Sequence, residues 1–253
     1  MRVVAIMSWY DEPDEVLAEA VRSLAGLADH LICLDGRYAL FHGPTNSPAT
    51  NYLTITRAAL DAGLSVQVES ASEPWDGPHG GEVAKRNRLF ELAEAATSPT
   101  DWLLSWDADF VLDRELSNPS VARAVLEQTR KLAADVWLFQ DTLRRGGCFP
   151  DLRLRILFRA LRGLRVEHTH WQYVAPHPWQ PGKKLRLWDM ANRTVPSAPL
   201  YQHLFVHHVP DRRDQARDNR RWAYYMLRDN RRVEQPEIDP ATPRLLGDAA
   251  PVV

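Results

Sequence analysis

Asp101-Trp102-Leu103-Leu104-Ser105-Trp106-Asp107-Ala108-Asp109-Phe110-Val111-Leu112-Asp113 is an apolar run that breaks off in two carboxylates one residue apart. Its length and its Trp and Leu content suit a buried strand. On an extended chain, side chains two apart share a face, so Asp107 and Asp109 are expected to converge on one cation at the strand's carboxyl end. A divalent ion held there would meet a diphosphate. The same Asp-x-Asp pattern also occurs in turns and helix caps, so the surrounding sequence has to decide.

Upstream, strand-like and helix-like stretches alternate. Val3 to Ser8 is a short apolar run, and Asp11-Glu12-Pro13-Asp14 then offers a helix start with acid in its first turn. Val16, Leu17, Ala20, Val21, Leu24 and Leu27 follow at helical spacing. His30 to Leu34 is a second apolar run ending in Asp35-Gly36, and the Gly-, Pro-, Asn- and Ser-rich residues 37–51 read as a loop. A helix is expected over 52–62 and a third strand over Ser65 to Glu69. After Trp75-Asp76-Gly77-Pro78-His79-Gly80-Gly81, a helix is expected over Glu82 to Ala96, closed by Pro99. Such alternation predicts an α/β fold, with a mostly parallel central sheet flanked by helices and ligands bound outside the carboxyl ends of the strands, where their order reverses. Ser8, Asp35 and Asp107 should all lie at that end.

Downstream the pattern loosens. A helix is expected over 120–134, with strands over Asp135 to Gln140, Arg153 to Arg159 and Leu204 to His208. Trp137, Trp171, Trp179 and Trp188 fall in this less regular half. Residues 211–232 read as a charged helix carrying Arg212, Arg213, Arg217, Arg220, Arg221 and Arg228, interrupted by Asp214, Asp218 and Asp229, so intrahelical pairing on a solvated face is its default role. The proline-rich tail from Gln235 is expected to be poorly ordered.

The chain's 253 residues are ample for a sizeable core, and 45% apolar with 25% charged residues is an ordinary globular composition. A net charge of -2 gives no cause for wholesale binding to nucleic acid or anionic membrane. Two cysteines, Cys33 and Cys148, make neither a disulfide framework nor a cysteine zinc cluster. With no apolar stretch long enough for a secretory signal or a membrane span, the expected location is the cytoplasm.

Four stretches resemble glycosyltransferase family 2, in the group near bacterial cell-surface glycan and tetratricopeptide-linked transferases. They are Val4 to Glu12, Lys85-Arg86-Asn87 opening a helix, Asp107-Ala108-Asp109, and Val206-His207-His208 ahead of Arg217-Asp218-Asn219-Arg220. Their order and spacing agree over roughly residues 1 to 232. The resemblance implies a single-domain GT-A (Rossmann-like) fold, a nucleoside-diphosphate sugar donor such as a UDP- or GDP-sugar, a divalent metal, and inversion at the anomeric carbon. Residues 1–134 would then bind the nucleotide-sugar, 135–232 would form the irregular acceptor-side part with the metal histidine, and 233–253 the tail. The acceptor is left open: a glycan, lipid carrier, protein side chain or modified nucleic-acid base.

The resemblance also distributes roles. Asp107 would face the ribose or a metal-bound water and Asp109 would bind Mn2+ or Mg2+, which as a Lewis acid neutralises charge on the departing diphosphate. His207 or His208 would be a further ligand. Adjacent strand residues face opposite ways, so one of them coordinates, with His207 preferred, and a histidine ligand tilts the choice toward manganese. Arg86, after a Gly-rich loop at a helix start, would hold phosphate oxygens, and Asn87 would orient the Asp pair. Ser8 lies at the donor-side strand end, Asp35 matches the family's base-binding acid, and Glu12 matches an acid after the first strand, although helix capping explains Glu12 equally well. Arg217 or Arg220 would fold back to the diphosphate. Inversion requires a general base, for which Glu167 is the candidate, with Asp151 and His170 behind it. An ion pair with Arg165 or Arg155 is the plain alternative for Glu167. Two rival functions remain: a metal-dependent hydrolase using Asp107, Asp109, His168, His170 and His207, and a non-catalytic module binding nucleotide or nucleic acid through the Arg-rich helix.

Overall fold

In the computed structural model the N-terminal half forms β1 (Val3–Ser8), α1 (Asp14–Ser23), β2 (His30–Leu34), α2 (Ala49–Asp61), β3 (Ser65–Glu69), α3 (Glu82–Ala96) and β4 (Trp102–Asp107). There follow β5 (Phe110–Leu112), α4 (Pro119–Gln128), β6 (Ala133–Thr142), β7 (Gly147–Arg159), β8 (Arg165–Val166), β9 (Tyr173–Pro176), β10 (Lys184–Arg186), β11 (Ser197–Ala198) and β12 (Phe205–His208). The structure describes residues 1–142, 147–168, 172–177, 179–187 and 195–209, with the backbone alone for 140–142 and 147–152. The helix expected over 211–232, the tail, Trp171 and Trp188 lie outside the described residues.

The fold is α/β. A nine-stranded sheet runs in the order β3-β2-β1-β4-β7-β6-β12-β5, with β11 beside β6. β1 pairs in parallel with both β2 and β4, and β12 in parallel with β6, while β7 and β5 run against their neighbours. The strand order reverses between β1 and β4, where Ser8 lies in register with Asp107. That reversal opens a crevice at the strand ends, which is where open α/β sheets bind ligands.

Period-two alternation on β1 explains the two cores. Val3, Ala5 and Met7 pack against Leu17 and Val21 of α1, Ile55 and Ala58 of α2 and Leu126 of α4. Val4 and Ile6 pack on the other face with Leu89, Phe90 and Ala93 of α3 and with Val166 and Tyr173 of the small antiparallel sheet β10-β9-β8. Both faces are therefore covered, which is why this strand reads as an unbroken apolar run.

Two expectations for the C-terminal half are corrected. The helix expected over 120–134 ends at Gln128, and Ala133 and Ala134 instead open β6, paired with β11 on one side and β7 on the other. Alanine's helix preference yields there to sheet pairing at two positions with no exposure. The strand expected over Arg153 to Arg159 begins at Gly147 and lies antiparallel between β4 and β6.

A buried ion pair fixes the base of this half. Arg155 Nε and Nη2 donate to Asp135 at 2.7 and 3.4 Å, Arg155 Nη1 donates to the carbonyls of Leu187 and Val195, and Ser197 Oγ donates to Asp135 at 2.5 Å. Removing Asp135 strands a buried guanidinium, so Asp135→Ala is expected to lose about 3–5 kcal/mol of stability, and the Asp135→Ala/Arg155→Met pair less than that, in urea unfolding.

Candidate functional site

β4 stops at Asp107, and Ala108 and Asp109 turn the chain into β5. The extended geometry that would have aimed both carboxylates the same way therefore ends one residue too early, and the two acids have different partners. Asp107 Oδ1 accepts from Arg86 Nη2 at 2.6 Å. Asp109, only 3% exposed, brings Oδ2 to 3.1 Å from His208 Nε2. β5 pairs with β12, Phe110 opposite His208, and the Val209 amide donates to the Asp109 carbonyl at 2.9 Å, so the ladder itself holds Asp109 beside His208.

Of the two histidines it is thus His208, not the preferred His207, that meets the Asp pair. His207 points to the other face, with Nε2 2.8 Å from Asp113 Oδ2 and its ring stacked on Phe139. Burial alone would raise the Asp113 pKa, but His207 and the amides of Leu116 and Glu115 outweigh it and hold this carboxyl below its usual range.

Arg86, the fifth residue of α3, lies in its second turn, buried against the sheet. Burial disfavours its charge, yet the Asp107 carboxylate more than compensates and its pKa is raised. Its Nε, also buried, has no hydrogen-bond partner. Beside it, the Tyr173 hydroxyl donates to Ser105 Oγ, and burial pushes its pKa up to about 12. Gly81 lets the chain enter α3 where it does: at φ 92°, a Cβ there would stand 2.1 Å from the Trp75 carbonyl oxygen.

Several other residues singled out in the sequence have structural partners. Both oxygens of Asp35 accept from Ser47, from the amide at 2.7 Å and from Oγ at 2.6 Å, and Asp35 has no exposed surface. Ser47 Oγ also accepts from the Asp11 amide at 2.7 Å, so one hydroxyl ties the 37–48 loop to the ends of β1 and β2. Asn87 exchanges two hydrogen bonds with the Val166 backbone, docking β8 onto α3 rather than reaching the Asp pair. The cap position of α1 is Pro13, without a side-chain cap, so Glu12 does not cap that helix. Glu167 lies between Lys184 at 2.7 Å and Arg165 at 3.0 Å. The Lys184 hydrogen bond, opposed by partial burial and aided by Arg165, lowers its pKa, which makes it a weaker proton acceptor. His168 is exposed, in a left-handed conformation. Only the backbone of Asp151 is described, and His170, Arg217 and Arg220 lie outside the described residues.

One residue of the Lys85-Arg86-Asn87 stretch was given no role from the sequence. Lys85 is 1% exposed, and its Nζ donates to the carbonyls of Trp9 and Gly36, each at 2.6 Å. Its spacing from Leu89 and Ala93, one helical turn each, was the available signal that it faces inward. Nearby, a cleft of about 450 Å³ is lined by Tyr10, Asp11, His42, Gly43, Pro44, Asn46, Ser47 and Pro48.

Among the described residues no three His, Cys, Asp or Glu side chains are grouped to hold a metal, so Asp109 and His208 form a two-donor arrangement. Their 3.1 Å separation matches the edge, about 3.0 Å, of an octahedron with bonds of about 2.1 Å, and such cations routinely take their remaining ligands from phosphates and water. As it stands the contact is a hydrogen bond; with the imidazole proton displaced, the nitrogen and the carboxylate oxygen are two donors that could hold a small divalent cation.

No family model and no curated protein matches this sequence. Distant matches among solved structures include the following two. Mannose-6-phosphate isomerase from Helicobacter pylori shares 9% identity, covering 63% of this chain and 71% of that one, with a TM-score of 0.36. A 4-diphosphocytidyl-2C-methyl-D-erythritol synthase shares 15% identity, covering 63% of this chain and 75% of that one, with a TM-score of 0.31.

Ser47→Ala leaves the buried Asp35 carboxylate and the Asp11 amide each one partner short. A loss of about 1–3 kcal/mol in chemical denaturation is expected, with the 37–48 loop becoming the first segment to exchange amide hydrogens.

Proposed function

We propose that this protein is a metal-dependent glycosyltransferase that moves a sugar from a nucleoside-diphosphate donor to an acceptor hydroxyl or amine. The reading is carried by one arrangement: at the point where strand order reverses, Arg86 with its unpartnered Nε stands on Asp107, and the Asp109–His208 pair follows two residues further along the chain. A buried guanidinium nitrogen lacking a partner is a donor for a phosphate oxygen. The two-donor pair is incomplete for a cation until a diphosphate supplies oxygens.

A divalent ion bound there would supply Lewis-acid neutralisation of the leaving diphosphate, and the histidine donor favours manganese over magnesium. Arg86 would take a second share of that charge, already desolvated and held by Asp107, so little reorganisation is needed as the bond breaks. The Ser8 end of β1 and the cleft at Tyr10 would receive the nucleoside. No helix among the described residues is long and apolar enough to cross a membrane, so the donor would be met at the protein's own surface.

Calorimetry with UDP and GDP, with and without Mn2+, tests this directly. Because Asp109 is buried, Asp109→Asn is a cleaner probe than truncation. Asp109→Asn and His208→Gln are each expected to weaken Mn2+-dependent nucleotide binding at least tenfold while the melting temperature stays within a few degrees. Products from a mixed panel of UDP- and GDP-sugars, read by mass spectrometry, should show released nucleoside diphosphate with wild type and none above background with either variant. Equal Mn2+-dependent binding by wild type and both variants would remove the reading.

A further inference from the structure

Trp9 is the first residue beyond β1 and Gly36 the second beyond β2, so the two Lys85 hydrogen bonds rivet together the loops that leave those strands. The same Nζ stands 5.2 Å from the centre of the Tyr38 ring. Tyr38 stacks on Phe41 at 5.9 Å, Phe41 lies 5.9 Å from Tyr10, and the Tyr10 hydroxyl donates to the Pro44 carbonyl. All three rings are partly exposed, and Tyr10 borders the cleft. An ammonium has three hydrogens: two are taken by carbonyls, which leaves the third and the positive charge for the ring.

Around Lys85 stand Asp35 at the end of β2 and Glu12 in the β1–α1 turn, which favour its charge, and Arg86 on its own helix, which opposes it. Burial dominates and pulls its pKa down to about 7. Losing the proton leaves two hydrogens, enough to keep both carbonyls, so the change falls on Tyr38. Between that pH and the ordinary lysine range the unfolded chain holds a proton that the folded chain lacks, so this group's contribution to stability rises with pH across that window.

We propose that Lys85 is a positioning residue for the nucleoside of the donor: its ammonium draws Tyr38, and through it Phe41 and Tyr10, into an aromatic wall on which a nucleobase stacks. The role rests on the donor reading above. Above neutral pH the wall loses its electrostatic anchor while the loops remain riveted, so the nucleoside binds more weakly without loss of fold.

Ring-13C-tyrosine NMR with uridine and guanosine as metal-free probes, at pH 6 and pH 8.5, tests the coupling without engaging the Asp109–His208 pair. In wild type without ligand, the Tyr38 resonance is expected to titrate near pH 7, and that step to vanish in Lys85→Met. Nucleoside affinity is expected to fall about threefold between the two pH values in wild type, and to be flat in Lys85→Met and in Tyr38→Leu. Should Lys85→Met fail to fold, Tyr38→Leu, at a half-exposed ring, carries the same comparison. His42 also borders the cleft but persists in both variants, so it cannot account for a step that disappears with them. Nucleoside binding whose pH dependence survives in the variants overturns the proposal and leaves the donor reading standing. No binding of either nucleoside at either pH also overturns this role, while the Mn2+-dependent nucleotide calorimetry decides the donor reading separately.

Discussion

The site depends on how little chain separates β4 from β5. Asp107 and Phe110 are three Cα steps apart, at most about 11 Å, yet β7, β6 and β12 stand between their strands in the sheet. Laid flat, four strand spacings of about 4.8 Å would exceed that reach. The sheet must therefore curl at its carboxyl edge, and its far strands come round to face the near ones. That closure sets His208, near the end of the described chain, against Asp109. It also separates the roles of the two acids, since the turn that closes the edge rotates Asp109 out of the line of β4 and toward β12.

Among the described residues, three ionic contacts of the interior shape the crevice. Arg155 and Asp135 close the base of the C-terminal half, Arg86 and Asp107 span the gap between α3 and β4, and Lys85 joins two loop carbonyls. Each such group would cost several kcal/mol if left unpaired, so their geometry is held more tightly than that of surface charges. Glu167 belongs to the other class: its two cations are about half exposed, and such pairs contribute at most about 1 kcal/mol.

The parallel half was legible because its strands are buried on both faces and its helices carry a one-sided apolar stripe, both written locally in composition. The first half of β7, β5 and the β8–β10 sheet were not, because antiparallel insertions depend on pairing between distant segments, as Ala133 and Ala134 show by joining a strand against their own propensity. The same division runs through the site. Arg86, Asp107, Asp109 and the histidine pair stood out by residue type at strand and helix ends. Partners could not be read so: Asn87 meets Val166, 79 residues away, and Asp35 meets Ser47 across a loop whose course no local pattern dictates. Lys85, named only as part of its motif, was given no role because a lysine on a helix is ordinarily taken for solvent-facing, whatever its phase.

Gly36 carries a consequence for how such a crevice can diversify. At φ 115°, a Cβ there would fall 2.5 Å from Ala71 Cβ and 2.8 Å from Trp75 Nε1, so the position is closed to every side chain. Trp75 in turn donates to the Asp35 carbonyl and pairs its backbone with the loop beyond, which locks the seam from both sides. Descendants of this chain would have to vary ligand preference along the rim, at residues such as His42 and Pro44, while the hinge-like root of the loop stays frozen. Drift in this protein should be visible as a variable crescent around an invariant glycine.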